Sequence, residues 1–232
     1  MTNKLRLFLE SLLDFIFPVS CVSCGKTGQW LCDKCAQNIR SLPPTCFGCQ
    51  KYSPEATVCS DCAANYFFDH LVAPLDYDQP TVAKLIKIFK YHFAYGVAPT
   101  LAELALVNLP EQLQKDLARA DFITAVPLHC RRLKWRGFNQ AELLARAWSD
   151  KLQVDYVAGL KRLRHTTPQA QLSGAERLLA QQDNFLWVGQ DLTDKIIILV
   201  DDVATTGATV NDCARALKIA GAEVWVMVVA KG

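Results

Sequence analysis

The chain has 232 residues, 51% of them hydrophobic, and a formal net charge of +2 at pH 7. This length suffices for one sizeable domain and a small one, and the composition predicts a real hydrophobic core. No stretch approaches the roughly 18 uncharged apolar residues of a membrane span, so we expect none. Basic residues cluster in 129–136 and 161–165, and such local clusters can contact phosphates although the total charge is small.

The first 18 residues predict an amphipathic helix. Arg6, Glu10 and Asp14 interrupt its apolar run, and no small-residue cleavage site follows, so the segment does not read as a secretory signal. We expect this helix to dock on the next module or on a partner rather than to lie on a membrane surface, and we expect a cytoplasmic protein. The residues on its apolar side are Leu5, Leu9, Leu12, Leu13 and Ile16.

Eight of the ten cysteines form four CxxC pairs. These are Cys21/Cys24, Cys32/Cys35, Cys46/Cys49 and Cys59/Cys62. A CxxC turn points two thiolates at one ion, and two such turns complete the tetrahedral ligand set of structural zinc. Zinc fits better than disulfides, because we expect no signal peptide and a reducing compartment that keeps thiols free. We predict a module over 19–68 that holds two structural zinc ions and folds only with them.

The pairing of the cysteines stays open. Neighbouring pairs give two consecutive ribbons, whereas an interleaved arrangement exchanges pairs between the two ions. Either arrangement leaves no ligand position for water, so the role of the zinc is structural. Of the remaining cysteines, we expect Cys213 to fill the core of a helix, and Cys130 is a candidate for a reactive thiol in a basic loop.

From residue 69 onward, helical and strand patterns alternate. Residues 81–92 predict a helix with one apolar face and with Lys84, Lys87 and Lys90 on the other. A second helix over 100–119 is interrupted near Pro110. Short strands are predicted at 122–127, 154–160, 195–202 and 223–230, helices at 138–152 and 207–222, and a loop at 128–137.

The strand at 195–202 shows no polar alternation, so both of its faces should be buried, as in a parallel sheet. Repeated strand–helix–strand units predict an α/β fold with a parallel sheet flanked by helices. Ligands of such sheets bind beyond the carboxyl ends of the strands. We therefore look for functional residues in the loops that follow the strands.

Two adjacent acids, Asp201 and Asp202, end that strand, and a threonine-rich turn leads into a helix. The turn consists of Ala204, Thr205, Thr206, Gly207, Ala208 and Thr209. Free backbone N–H groups at a helix start bind anions, and a glycine lets the backbone come close to one. The carboxylates repel phosphate, so they should face sugar hydroxyls or a metal. A ribose 5-phosphate meets both demands, and neither a Walker loop nor GxGxxG is present.

The segment IIILVDDVATTGAT, residues 196–209, resembles the signature with which type I phosphoribosyltransferases bind phosphoribosyl pyrophosphate (PRPP). Over nearly its whole length, the chain is similar to the ComF/GntX family. The similarity includes a double zinc ribbon on the CxxC pairs, Lys90-Tyr91, the stretch 127–141, and 169–177 with a following Asn184.

The resemblance implies a role for each of these segments. Asp201 and Asp202 would bind the ribose hydroxyls directly or through Mg²⁺, and 204–209 would hold the 5-phosphate. Residues 128–137 would receive pyrophosphate, with Arg136 as a catalytic group, and 162–177 would form a mobile hood. The further substrate-binding candidates are Lys90, His129, Arg131, Arg132, Lys134, Gly137, Arg162 and Arg164.

The resemblance also implies an organisation and a function. We expect a helix over 1–18, a double zinc ribbon over 19–68 and a type I phosphoribosyltransferase-like domain over 69–232. The family is associated with natural competence, so PRPP, single-stranded DNA and other DNA-uptake proteins are the expected partners. Where purine-salvage members carry an acid this chain has Thr205. The resemblance implies a PRPP-binding phosphoribosyltransferase-like protein that serves DNA uptake or utilisation, with an unknown acceptor. The alternative hypothesis is a non-catalytic factor that responds to PRPP or binds single-stranded DNA.

Overall fold

The computed structural model describes residues 19–91, 95–163 and 184–232. The helices are α1 (Asp33–Ala36), α2 (Ser60–Ala63), α3 (Pro80–Tyr91), α4 (Val97–Val107), α5 (Glu111–Leu117), α6 (Cys130–Arg136), α7 (Gln140–Leu152) and α8 (Ala208–Ile219). The strands are β1 (His70–Val72), β2 (Leu75–Asp76), β3 (Phe122–Ala125), β4 (Asp155–Tyr156), β5 (Leu160–Arg162), β6 (Phe185–Trp187), β7 (Ile196–Ala204) and β8 (Glu223–Lys231). Within these residues, no helix combines the length and the apolar character needed to cross a membrane.

Three predictions fall on other parts of the chain. The helix over 1–18, residue Arg164 and most of the hood segment 162–177 lie outside the described residues. The domain boundary at residue 69 stays a prediction.

Six strands form one sheet in the order β1–β8–β7–β3–β4, with β2 also pairing with β8. Every pairing in this sheet is parallel. Its central strands are buried on both faces, since Ile197, Ile198 and Val226 are fully inaccessible to solvent. The predicted α/β fold, a parallel sheet flanked by helices, is confirmed. Strands β5 and β6 form a separate antiparallel pair.

The order of the strands creates a crevice at one point of the sheet. Helix α7 joins β3 to its neighbour β4. Helix α8 joins β7 to β8, so the chain moves towards the other edge of the sheet. Because such crossovers are right-handed, the two helices cover opposite faces. Adjacent strands β3 and β7 therefore flank the topological switch point, beyond whose carboxyl ends ligands bind.

The helices bury the faces that the sequence indicates. In α3 the buried residues are Val82, Leu85, Ile86 and Phe89. In α7, Trp148 is fully buried, and its indole N–H donates to the carbonyl of Ala102 in α4 at 3.0 Å. This bond satisfies the one polar group of a large apolar side chain and fixes α7 against α4. Cys213 is fully buried in α8, as expected.

Two predictions of local structure were wrong. Residues 128–137 contain helix α6 rather than a loop. The His129 side chain accepts from the N–H of Arg131 at its start, and Gly137 ends it in the left-handed conformation at φ 74°. The strand predicted at 154–160 splits, because only Asp155 and Tyr156 pair with β3, and the chain then leaves the sheet.

The eight CxxC cysteines form two groups of four. Cys21, Cys24, Cys32 and Cys35 make the first, and Cys46, Cys49, Cys59 and Cys62 make the second. The Sγ atoms of Cys24 and Cys32 are 3.6 Å apart, and those of Cys46 and Cys59 are 3.7 Å apart. Four sulfurs about 2.3 Å from a tetrahedral zinc ion stand at nearly these separations. The groups are two zinc-binding sites, and neighbouring CxxC pairs supply the four ligands of each.

In each site, backbone N–H groups favour the thiolate form of one cysteine. The N–H of Cys32 donates to Sγ of Cys21, and the N–H of Cys59 donates to Sγ of Cys46, both at 3.4 Å. Burial opposes ionisation, yet the backbone N–H groups lower the pKa of both Cys21 and Cys46 to about 6. Thiolate is the form that binds zinc.

Candidate active site

A cavity of about 520 Å³ opens beyond the carboxyl ends of β3 and β7, at the switch point. Its walls come from the end of α3, from the stretch that leaves β3 and passes through α6 into α7, from β5, and from β7 and the start of α8. The charged residues in these walls are Lys90, Arg132, Arg136, Arg162, Asp201 and Asp202. Because cations outnumber carboxylates, the cavity favours a polyanionic ligand.

The acid pair lines the cavity from within the last residues of β7. Lys90 at the end of α3 approaches the Asp202 carboxylate at 3.0 Å, and the Asp201 carboxylate accepts the N–H of Asp202 at 2.8 Å. Burial, reinforced by the neighbouring Asp202, raises the pKa of Asp201 to about 7 against the opposing effects of that N–H and of Lys90. One lysine does not compensate two carboxylates, so the pair attracts hydroxyl donors or a cation.

The turn after β7 leaves the strand at Ala204 and enters α8. Gly207 caps the helix with φ 74°, a left-handed conformation that costs other residues energy. The side chains of Thr205, Thr206 and Thr209 are exposed around it. The first N–H groups of an α-helix have no partner within the helix, so this turn offers donors to an anion.

Arg136 is a side chain of the cavity wall whose hydrogen bonds are incomplete. It is buried, and its Nη1 donates to Oε1 of Gln140 at 3.0 Å. Among the described residues, Nε of Arg136 and Nε2 of Gln140 are buried side-chain donors that lack a hydrogen-bond partner. A buried donor without an acceptor is costly, and a bound oxyanion would remove that cost.

Comparisons with known proteins identify both parts of the chain. Residues 12–63 match the double zinc ribbon domain, and residues 138–232 match the phosphoribosyl transferase domain. Competence protein F of Haemophilus influenzae is 31% identical over an alignment of 219 residues, which covers 89% of this chain and 94% of that protein. The chain belongs to the ComF/GntX family.

Two further comparisons agree with this assignment. DNA utilization protein YhgH of Escherichia coli K12 is 30% identical over an alignment of 212 residues, which covers 89% of this chain and 87% of that protein. Competence protein ComFC of Streptococcus pneumoniae is 34% identical over 115 residues, half of this chain and 49% of its own. These matches do not favour the alternative of a non-catalytic factor that responds to PRPP or binds single-stranded DNA.

The structure of this ComF/GntX protein brings seven of the predicted site residues together, and of the turn 204–209 it places only Thr209 in the cavity wall. Lys90, Arg132, Arg136, Arg162, the two acids and Thr209 line one cavity. His129, Arg131 and Lys134 instead line an adjoining groove of about 940 Å³, which Arg162 also borders. Gly137 is the C-cap of α6. The roles of these residues stay predictions.

Residues that the sequence analysis did not single out complete the walls. Gln140 is buried beside Arg136. A glutamine on the apolar face of α7 was the sequence signal that could have indicated this polar contact. Asn139 caps α7 and donates to the carbonyl of Val126 at 2.9 Å, which fixes the start of α7 to the end of β3. The exposed rings of Tyr91 and Trp135 stand 6.0 Å apart, and the Arg136 guanidinium lies 5.3 Å from the Tyr91 ring.

Proposed function

We propose that this ComF/GntX protein binds PRPP with Mg²⁺ in the cavity between β3 and β7, transfers the phosphoribosyl group to an acceptor, and serves the uptake or utilisation of DNA in the cytoplasm. The observation that carries the proposal is Arg136, whose buried Nε lacks an acceptor in the same cavity as Asp201 and Asp202. A guanidinium fork suits the oxygens of pyrophosphate, and an acid pair suits the ribose hydroxyls.

The acid pair supports the ribose end of this pose. Asp202 is held by Lys90, so its carboxylate has a fixed position. The raised pKa of Asp201 means that a hydroxyl donor or a cation relieves the repulsion between the two acids. Carboxylate oxygens also suit Mg²⁺, which supplies positive charge to the pyrophosphate when it is bound with PRPP.

The turn 204–209 supports the phosphate end. Its donors are the N–H groups at the start of α8 and the hydroxyls of three threonines. The 5-phosphate and the ribose hydroxyls are separated by only a few bonds in PRPP. The turn follows the acid pair directly in the chain, so one ligand can occupy both.

The transfer itself would depend on charge stabilisation. The bond between C1 of the ribose and the pyrophosphate oxygen breaks, and the electron pair leaves with pyrophosphate. Arg136 and Arg132 line the cavity where this charge grows. A lone pair of the acceptor forms the new bond to C1, and its proton passes to solvent, since Thr205 occupies the position at which purine-salvage enzymes carry an acid.

Calorimetry with PRPP and Mg²⁺ tests the site. Arg136→Gln should weaken PRPP binding by about 10- to 100-fold, because hydrogen bonds to a charged group contribute about 1.5–3 kcal/mol. The double variant Asp201→Asn/Asp202→Asn should lose comparable affinity. Arg119→Gln is the control, because Arg119 is an exposed arginine paired with Asp116 outside the cavity. If the unchanged protein does not bind PRPP, the proposed site is wrong.

Turnover and biological role need separate measurements. Release of pyrophosphate from PRPP that depends on an added acceptor would support transfer, and Arg136→Gln should abolish it. In a naturally transformable host that lacks its own ComF/GntX protein, the wild-type chain should restore transformation. The Asp201→Asn/Asp202→Asn chain should not, although it is made at the same level. Equal rescue by both chains would separate the role in DNA uptake from the site.

A further inference from the structure

The second zinc ribbon contacts the turn to which we assign the 5-phosphate. Phe47 lies between zinc ligands Cys46 and Cys49, and its ring packs against Gly207. A Cβ atom on Gly207 would come within 2.7 Å of Cε1 of that ring. Glycine is thus required at 207 both by its positive φ and by the ring. A residue of the zinc module therefore forms one wall of the turn.

The ribbon holds this ring firmly. Phe47 is buried, and its ring contacts those of Tyr66 and Phe68 edge to face, with centroids 5.5 Å and 5.8 Å away. Gly48 allows the CxxC turn of Cys46 and Cys49 to approach Cys62, since a Cβ at 48 would lie 2.7 Å from Sγ of Cys62. The ring position thus depends on the second set of four sulfurs and on the zinc that holds them together.

Two further contacts join the same ribbon to this region. The Asn211 side chain, in the first turn of α8, accepts the N–H of Phe67 at 2.7 Å, and the N–H of Asn211 donates to the carbonyl of Gly207 at 2.9 Å. Lys231, which pairs with Ala204 across β8 and β7, donates to the Gln50 side chain. The ribbon therefore contacts the phosphate turn, the helix that follows it and the strand beside it.

The first ribbon offers a matched comparison. Val22 occupies the position of Phe47 in its own CxxC turn, and it is also buried. Its carbonyl accepts from Nζ of Lys84 in α3 at 2.7 Å, so this turn faces the middle of α3 and not the phosphate turn. The two ribbons have the same ligand spacing at their first pair, yet only the second reaches Gly207 through this position.

We propose that Phe47 is a positioning residue for the 5-phosphate site, and that the second zinc ion sets the affinity of that site through Phe47. The inference rests on the proposed function. The ring supports Gly207 in its left-handed conformation, so the N–H donors of the turn point at the ligand before it arrives. Such preorganisation lowers the entropy lost on binding. The first zinc ion has no such effect.

Ligand fragments separate positioning from general damage. Phe47→Ala should weaken the binding of ribose 5-phosphate and of PRPP by about 10-fold or more, because a preorganised wall worth about 1.4 kcal/mol is lost. It should leave the affinity for pyrophosphate with Mg²⁺ unchanged, since Phe47 does not line the cavity that contains Arg136. Val22→Ala is the control and should leave both affinities unchanged. Phe47→Leu, which keeps an apolar wall, should restore part of the lost affinity.

Hydrogen exchange provides a readout that needs no ligand. In Phe47→Ala, the amides of 204–209 should exchange faster than in the unchanged protein, whereas those of α7 should not change. Zinc content confirms that both variants keep two ions per chain. Should Phe47→Ala lose its second zinc, Phe47→Leu takes its place, with the same direction expected for ribose 5-phosphate and for exchange.

The zinc itself is tested with paired cysteine variants. Cys49→Ser in the second ribbon should lower the affinity for ribose 5-phosphate, and Cys24→Ser in the first should not; both residues are exposed. Equal affinity for ribose 5-phosphate in Phe47→Ala and in the unchanged protein would refute the inference and leave the proposed function intact. Absence of PRPP binding by the unchanged protein would instead refute the proposed function.

Discussion

The two ends of the parallel sheet use the same residue type in opposite ways. At the amino end, Asp69 precedes β1 and Asp121 precedes β3, and each carboxylate accepts a backbone N–H of the adjacent strand and meets a lysine. At the carboxyl end, Asp201 and Asp202 are adjacent and line the cavity, and Lys90 of α3 pairs with Asp202. The first arrangement completes its hydrogen bonds within the fold, and the second leaves charge for a ligand.

The amino end repeats one motif. Asp121 accepts from the N–H of Ile196 at 2.9 Å and from Lys195 at 3.0 Å, and its own N–H donates to the carbonyl of Ile196 at 2.9 Å. Asp69 bonds in the same two ways to Val224, at 2.8 Å and 2.9 Å. The N–H of Ile196 and the lysine lower the pKa of Asp121, which is the mark of a carboxylate that stabilises the fold.

The opposite pKa shifts of the acids at the two ends show which end stabilises the fold and which end destabilises it. An acid whose pKa falls on folding stabilises the protein at neutral pH, and one whose pKa rises destabilises it. Asp121 is of the first kind and Asp201 of the second. Binding sites commonly cost stability in this way, because a group that is satisfied within the fold has nothing left to offer a ligand.

The largest expected effect is at the amino end. Asp121→Ala removes the carboxylate that accepts hydrogen bonds from Lys195 and from the N–H of Ile196, and it leaves that N–H without this acceptor. We expect the free energy of unfolding to fall by about 2–3 kcal/mol. Thermal melting should therefore occur about 4–10 °C lower. Asp155→Ala is the control, because Asp155 is exposed at the edge strand. Equal melting temperatures for the two variants would contradict the contrast between the ends.

At the carboxyl end, Asp201→Asn should have the opposite sign. The folded pKa lies near 7 against an ordinary value of 3.8, so stability is lost as pH rises from 3.8 and the loss is complete above about 7. The amide keeps an acceptor for the N–H of Asp202. We expect a gain of about 2 kcal/mol at pH 8, smaller at pH 6, from melting curves of the ligand-free protein. A loss of stability at pH 8 would show that Asp201 is compensated within the fold.

Much of this architecture follows from local sequence signals. The zinc ligands could be assigned because CxxC spacing fixes the geometry of each pair by itself. The buried faces of α3 and α7 follow from apolar residues at helical spacing, and β7 follows from its continuous apolar run. The acid pair and the turn 204–209 could be placed together because they are contiguous in the chain.

Other features depend on contacts between distant residues. Helix α6 has no apolar periodicity and is defined by its caps at His129 and Gly137. Arg136 lies in a run of basic residues that indicates an exposed surface, yet in the fold it is buried and bonded to Gln140 of α7. The contact between Phe47 and Gly207 joins two modules. No pattern within either segment could have predicted it.

The ion pair of the cavity should have an intermediate effect. Lys90→Met removes the cation that lies 3.0 Å from Asp202 and that also lowers the pKa of Asp201. We expect stability at pH 8 to fall by about 1 kcal/mol, and the pH dependence that Asp201 causes to extend to higher pH. Lys87→Met, one turn earlier on the exposed side of α3, is the control. Melting curves across pH would contradict the assignment if both variants behaved alike.

The smallest effect should come from Lys218, which pairs with Asp69 at the amino end. Both side chains are about one-third exposed, so solvent screens their attraction, and the N–H of Val224 remains as a donor to Asp69 when the lysine is gone. Lys218→Gln should therefore lower the free energy of unfolding by only about 0.5 kcal/mol, and about 1 M salt should remove the difference. Lys115→Gln, which breaks a more exposed pair with Glu111, should have no measurable effect. If Lys218→Gln cost as much as Asp121→Ala, the lysines and not the backbone N–H groups would be what stabilises the amino-end acids.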